Sequence, residues 1–162
     1  LSLLDIQKLE GSKKLRILNK ENIYIDIALS VISERKIDEI NIHHASLEAM
    51  WNSFNSIHFK TQRTYGVWLI DGCHVPSRSK ELVQVEAKSI VKGDSKSVLI
   101  GLSSIIAKVY RDRLMEEHAK RWPEYGFEKN AGYPTSLHKQ AIKDRGVLPI
   151  HRKSFKGVKE YC

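Results

Sequence analysis

From Lys36 to His58 the apolar residues Ile37, Ile40, Leu47, Met50, Trp51, Phe54 and Ile57 recur at three- and four-residue steps, as the buried face of an amphipathic helix does. The next apolar run is of another kind. Tyr65-Gly66-Val67-Trp68-Leu69-Ile70 is short, rich in β-formers and closed by Asp71-Gly72, so it reads as a buried strand that ends in a turn. Val83, Val85, Ala87, Ser89 and Val91 then alternate up to Lys92-Gly93-Asp94-Ser95, which predicts a second strand running into a loop. Helical spacing returns with Val98, Leu102, Ile105, Ile106 and Val109 and continues through the charged stretch from Tyr110 to Arg121, before Pro123. Ser136 to Arg145, closed by Gly146, is a shorter helix, and the β-branched Ile23, Ile25 and Ile27 place a strand within Ile23 to Ser33. This succession of strands and long helices is that of an α/β domain. No repeat, low-complexity tract or Pro/Gly-rich linker divides the chain, so residues 1–162 are expected to form a single domain.

Composition agrees with that size. A chain of 162 residues with 41% hydrophobic residues can bury one core. Its formal net charge of +8 suits a polyanionic partner such as nucleic acid, although charge alone leaves an ordinary basic surface equally open. Cys73 and Cys162 have neither the number nor the spacing of a disulfide framework or a zinc site, which points to a reducing compartment. Apolar stretches are broken by charged residues well short of a membrane span and no signal peptide opens the chain, so a cytoplasmic protein without a membrane partner is expected. The chain opens on Leu1 rather than a methionine, as a processed chain, an unusual start codon or a fragment would.

Asp71 and Asp94 each stand at the end of an expected strand. Alone, each has a plain explanation: Asp-Gly after an apolar run is a common turn, and Asp94 with Ser95 suits the cap of the helix that follows. Together, in a basic domain, they are also the oxygen donors that hold a divalent cation against a phosphate backbone. His43 and His44 are adjacent on a helix, so they point about 100° apart and do not face one metal; solvent exposure or partial core packing is expected of them. Cys73 reads as a buried free thiol, and Trp51, Phe54 and Trp68 as core residues rather than stacking platforms.

Seven short segments, in order, resemble the motifs of the ribonuclease HII family. They are Ser12-Lys13-Lys14-Leu15, Ile37-Asp38-Glu39-Ile40-Asn41-Ile42, Leu69-Ile70-Asp71-Gly72, Val91-Lys92-Gly93-Asp94-Ser95, Ser104-Ile105-Ile106-Ala107-Lys108-Val109-Tyr110-Arg111-Asp112, Gly132-Tyr133-Pro134-Thr135 and His151-Arg152-Lys153-Ser154-Phe155. The resemblance implies a ribonuclease H-like fold, with a central mixed sheet flanked by helices and a helical C-terminal portion. It implies an endonuclease that cleaves the RNA strand of RNA/DNA hybrids, or duplex DNA with an embedded ribonucleotide, on the 5′ side of a ribonucleotide, with Mg²⁺ or Mn²⁺ and with 3′-hydroxyl and 5′-phosphate products. Carried over by position, Asp71 and Asp94 resemble the family's third and fourth metal-binding carboxylates. Tyr133 resembles the aromatic that stacks at the RNA-to-DNA junction and reads the ribose 2′-OH, a contact that separates RNA from DNA. Lys13, Lys14, Lys108, Arg111, Arg152 and Lys153 are the candidates for phosphate contact. A monomer is expected.

The sequence also departs from the family. Nothing matches its opening strand and Asp-Glu-x-Gly-Arg-Gly loop, whose Asp and Glu complete the metal site, so the first strand is expected to be missing. Asp38-Glu39 is the only Asp-Glu pair, and it belongs to the helix-start motif. Gly11 replaces the usual Asp before Ser-Lys-Lys-Leu, Asn130-Ala131 replaces His-Lys before Gly-Tyr, and the segment from Leu15 to Ile37 is short for a helix plus a strand. Two of four carboxylates should clamp a metal pair poorly. The alternative to a hydrolase is therefore a catalytically inactive remnant that binds hybrids.

Overall fold

The computed structural model describes residues 15–18, 24–61, 66–82 and 85–162. Its elements are those of a mixed α/β chain, mostly helical with a small parallel sheet. Lys13, Lys14, Gly11, Ile23, Tyr65 and Val83 lie outside the described residues. The chain divides into two compact units, Leu1–Ile32 with His43–Ile105, and Ser33–Ile42 with Ile106–Cys162.

In the first unit, β1 (Leu15–Leu18) pairs antiparallel with β2 (Tyr24–Ile27), from Leu15 opposite Ile27 to Leu18 opposite Tyr24. The strand expected within Ile23 to Ser33 thus ends at Ile27. Helix α1 (Glu34–Thr61) covers the expected Lys36 to His58 segment, but it is broken at Asn41, whose φ of 65° is not helical. Periodicity could not show this break, because the apolar spacing continues through it. Trp51 is buried and Ala45 nearly inaccessible. The Phe54 ring stacks on Trp68 with centroids 4.3 Å apart, and Trp51 lies 6.2 Å from Trp68. These aromatics therefore form packing between α1 and the strand that carries Trp68, as expected of core residues; truncating a buried Trp of this kind costs about 3–5 kcal/mol.

That strand, β3 (Val67–Asp71), pairs parallel with β4 (Glu86–Ile90), with Val67 opposite Glu86 and Asp71 opposite Ile90. Ile70 is buried, as a strand covered by a helix requires. The second strand ends one residue earlier than its alternation implies, since Val91 is exposed and already in the turn. Cys73 corrects an expectation. It is exposed rather than buried, because Gly72 (φ 101°) turns the chain out of the sheet before it. His43 and His44 are both exposed. Helix α2 (Val98–Arg121) confirms the third periodic stretch, although Val98, Leu99, Leu102 and Ile105 at its start are exposed.

The second unit is built around Tyr125, Phe127, Ile142 and Val158, against which Met115 and Ala119 of α2 and Trp122 just after it pack. A one-turn helix α3 (Phe127–Asn130) leads to helix α4 (Ser136–Arg145). Thr135 caps α4 by accepting the His138 N–H, and Gly146 ends it with φ 90°, so the expected boundaries of this helix hold.

Two histidines enter this core. His138 donates its Nδ1–H to the Tyr125 carbonyl at 3.1 Å, and His151 accepts the Leu148 N–H on Nδ1 at 2.8 Å. Their rings are 5.2 Å apart. Burial first, and the neighbouring His138 second, push the His151 imidazole down to about 4. A histidine whose folded-state pKa lies below its unfolded value near 6.5 contributes stability that is complete above that value and is lost as the pH falls towards about 4. The urea midpoint is therefore expected to drop between pH 7 and pH 4.5. In His151→Gln the drop should be shallower, though not absent, since His118 is also held down by burial. Equal pH dependence in the two proteins, followed by urea titration, would remove His151 from this role.

Candidate active site and nucleic-acid-binding surface

Parallel pairing brings the C-terminal ends of β3 and β4 side by side, with Asp71 at the end of one and the Lys92–Ser95 turn following the other. The Asp71 Oδ1 accepts the Gly93 N–H at 2.8 Å, one peptide unit from Asp94. Lys92 sits in the left-handed region (φ 55°), which folds the chain back at once. Ser95 secures the fold by donating its Oγ–H to the Lys92 carbonyl at 2.9 Å and its N–H to the Asp94 Oδ1 at 2.9 Å. No side chain fits at Gly93: a Cβ there would lie 2.7 Å from the Ile100 Cδ1 and 3.2 Å from the Asp71 Oδ1. Gly101 is equally confined, since its Cβ would lie 2.9 Å from the Asp94 carbonyl oxygen. The first turn of α2 thus packs directly against the turn that carries Asp94.

Both carboxylates are exposed, and each has one oxygen committed to a backbone N–H. Each residue therefore does the backbone-binding work of a turn residue. Carboxylate oxygens are hard donors of the kind that suits Mg²⁺ or Mn²⁺, cations that keep several waters and need few protein ligands. Among the described residues no group of three or more His, Cys, Asp or Glu is placed to hold a metal ion. Asp71 and Asp94 are brought to neighbouring positions as a two-carboxylate set.

Tyr133, Arg111, Arg152 and Lys153 all belong to the second unit. Tyr133 is exposed on a turn that begins with Ala131 (φ 47°) and Gly132 (φ 78°) in left-handed conformations. Asn130 holds this turn from inside: its Nδ2 donates to the Tyr125 carbonyl at 2.7 Å and its Oδ1 accepts the Gly132 N–H at 2.8 Å. From outside, Arg111 donates to the Ala131 carbonyl at 2.9 Å. The Arg152 guanidinium lies 3.6 Å from the centre of the Phe155 ring. Burial and then the like charge of Arg111 hold its pKa below the usual value, with Asp38 and Tyr133 acting in the opposite sense; a guanidinium stays charged regardless. Lys108 is occupied by an ion pair with Asp112 one helical turn on.

One contact has no sign in the sequence. Both oxygens of Asp38 accept hydrogen bonds from the backbone of the Arg152–Ser154 segment, more than a hundred residues away. The Ile-Asp-Glu motif marks a helix start, and nothing in its spacing names a distant partner.

A model of the family described as Ribonuclease HII matches residues 2–158. The chain belongs to the ribonuclease HII family. It is 40% identical to the ribonuclease HII of Shewanella loihica, with the match covering 96% of this chain and 75% of that protein. It is also 40% identical to the ribonuclease HII proteins of Bacillus cereus (strain B4264), covering 96% of this chain and 59% of that one, and of Francisella tularensis subsp. tularensis (strain SCHU S4 / Schu 4), covering 94% and 81%. The family is one of endoribonucleases that cleave RNA in RNA/DNA hybrids and use divalent metals. The construction of the turn after β4 makes a testable distinction. Gly93→Ala forces a methyl between Ile100 and Asp71 and should cost about 1–3 kcal/mol, the usual range for overpacking. Asp71→Asn keeps an oxygen acceptor for the Gly93 N–H and should cost no more than about 1 kcal/mol. Urea unfolding compares them, and an Asp71→Asn loss as large as that of Gly93→Ala would show that charge, not the hydrogen bond, holds the turn.

Proposed function

We propose that this chain supplies the hydrolytic core of an endonuclease that cuts the RNA strand of RNA/DNA hybrids, or of duplex DNA with one embedded ribonucleotide. Cleavage on the 5′ side of a ribonucleotide adds water across the phosphodiester and leaves a 3′-hydroxyl and a 5′-phosphate. The observation that carries this reading is the family match over residues 2–158. Asp71 and Asp94 would hold Mg²⁺ or Mn²⁺; such a cation, when bound, neutralises charge that develops on the phosphate.

The remaining roles fall to the chain's own groups. The Tyr133 ring, exposed on a turn pinned by Asn130 and Arg111, is suited to stack at the RNA-to-DNA junction beside the 2′-OH. Arg111, Arg152 and Lys153 would attract phosphates, as would Lys108 by exchanging its Asp112 partner and Lys13 and Lys14 by the motif they share with the family. A ribonuclease H-like fold with a central mixed sheet, one functional domain over residues 1–162, a cytoplasmic site of action and a monomeric state belong to the same proposal. The exposed thiols of Cys73 and Cys162 are consistent with a reducing compartment.

A second reading has its own observation. The 162 residues contain no Asp-Glu-x-Gly-Arg-Gly segment, and two carboxylates are few for clamping a metal pair. The 162-residue chain is therefore expected to bind hybrid with strong salt dependence and to cleave it poorly. Joining that segment from a relative in front should restore cutting, and Asp71→Asn should abolish it again. The assay is cleavage of a duplex carrying one ribonucleotide with Mg²⁺ or Mn²⁺. Robust cleavage by the 162-residue chain would remove the need for the added segment, whereas full activity of the joined Asp71→Asn protein would exclude Asp71 from the site.

A further inference from the structure

We propose that Asp38 is a positioning residue for nucleic-acid binding, fixing the Arg152–Lys153 segment in the one arrangement that offers its cations to a phosphate backbone. The inference rests on the hybrid-binding reading above and adds a residue to it that touches no substrate.

Asp38 Oδ2 accepts the Lys153 N–H at 2.8 Å, and its Oδ1 accepts both the Ser154 N–H at 3.0 Å and the Ser154 hydroxyl. Bonds to two consecutive backbone amides fix peptide orientation, not merely distance. With the Ser154 hydroxyl they fill three of the carboxylate's roughly four lone-pair directions. Arg152 accordingly makes no ion pair among the described residues, although Asp38 is near enough to influence its charge. Its guanidinium rests over Phe155 instead, at 3.6 Å, beside the like-charged Arg111, which is itself tied to the Ala131 carbonyl of the Tyr133 turn. Like charges that act on one another repel, and an anion lying against both relieves that repulsion. A phosphate is such an anion, and bidentate guanidinium geometry matches it.

Burial opposes the charge on Asp38, but the Ser154 hydroxyl, the two amides and Arg152 outweigh it and hold the carboxyl below the usual range. At neutral pH the clamp is ionised. Charge and position then make opposite forecasts for its removal. If Asp38 acts only as a negative charge near a polyanion site, deleting it strengthens binding. If it positions the cations, deleting it weakens binding and reduces the number of phosphates engaged.

The experiment measures binding of an RNA/DNA hybrid oligonucleotide to the 162-residue chain by fluorescence anisotropy across a salt series. Asp38→Ala is expected to raise Kd at least fivefold and to flatten the log Kd against log[salt] line by about one phosphate contact, roughly 0.9 in slope. Ser154→Ala, which removes a single bond and keeps the fold if Asp38→Ala does not, should raise Kd about twofold on the scale of one hydrogen bond. Glu39→Gln removes the same charge from the next residue, where among the described residues Glu39 pairs with Arg35 and Lys36 on its own helix, and should leave Kd unchanged or lower it. Unchanged or tighter binding by Asp38→Ala and Ser154→Ala, with the parent chain binding normally, overturns the positioning role. Absence of binding by the parent chain overturns the hybrid-binding reading itself and this inference with it.

Discussion

The hydrogen bond from the Gly93 amide to the Asp71 carboxylate is the contact on which the first unit's candidate chemistry depends. β3 and β4 are parallel, so no tight hairpin joins them, and the segment linking them leaves from the end of β3 that carries Asp71. The ladder aligns the strands but does not determine where the chain goes after Ile90. The Asp71 carboxylate does, at 2.8 Å, and it can do so only because position 93 has no side chain. The Asp71 oxygen that accepts this N–H thus builds the turn that presents Asp94. Gly101 lets α2 begin against the same turn, which secures Asp94 from its other side.

Charge in the second unit is sorted by a similar economy. The net charge of +8 is spread over a surface where many cations already have local partners: Lys108 with Asp112, Arg113 with Glu116, Lys120 with Glu117 and Arg145 with Glu124. Exposed pairs of this kind contribute little to stability, yet they mark charges already matched within the protein. Arg111 is instead committed to a backbone carbonyl and Arg152 to an aromatic face. Neither contact cancels a charge. Bringing like charges to bear on one another costs repulsion.

What was legible in the sequence follows the range of the interactions. Asp71 and Asp94 were placed at strand ends because apolar runs and turn residues are local signals, and α4 was bounded by Thr135 and Gly146 for the same reason. Asn41 was not seen as a helix break, since a positive φ at one residue leaves the hydrophobic spacing intact. The habits of its residue type point Cys73 to the interior, whereas the direction of the chain after Gly72 decides its exposure. Asn130 was read only as a departure from the family's His; in the fold its buried amide spans Tyr125 and Gly132. Asp38 was legible as a motif residue and illegible as a clamp, because its partners come from the far end of the chain.

The segment from His151 to Ser154 shows why such long-range contacts matter more than the motif they belong to. On its inner side His151 is buried and accepts the Leu148 N–H as a neutral imidazole. On its outer side the amides of Lys153 and Ser154 are held by an ionised Asp38. Arg152 lies between the two. A neutral acceptor is the right choice inside, where an unpaired charge is costly to bury, and a charged acceptor is the right choice outside, where water pays for its ionisation. Both groups have pKa values below their ordinary ones, so acid adds a proton to each against the preference of the fold. The backbone around Arg152 is thus anchored by two acceptors that differ in charge and burial but fail in the same direction. That arrangement fixes the backbone on both sides of a single guanidinium across the neutral range.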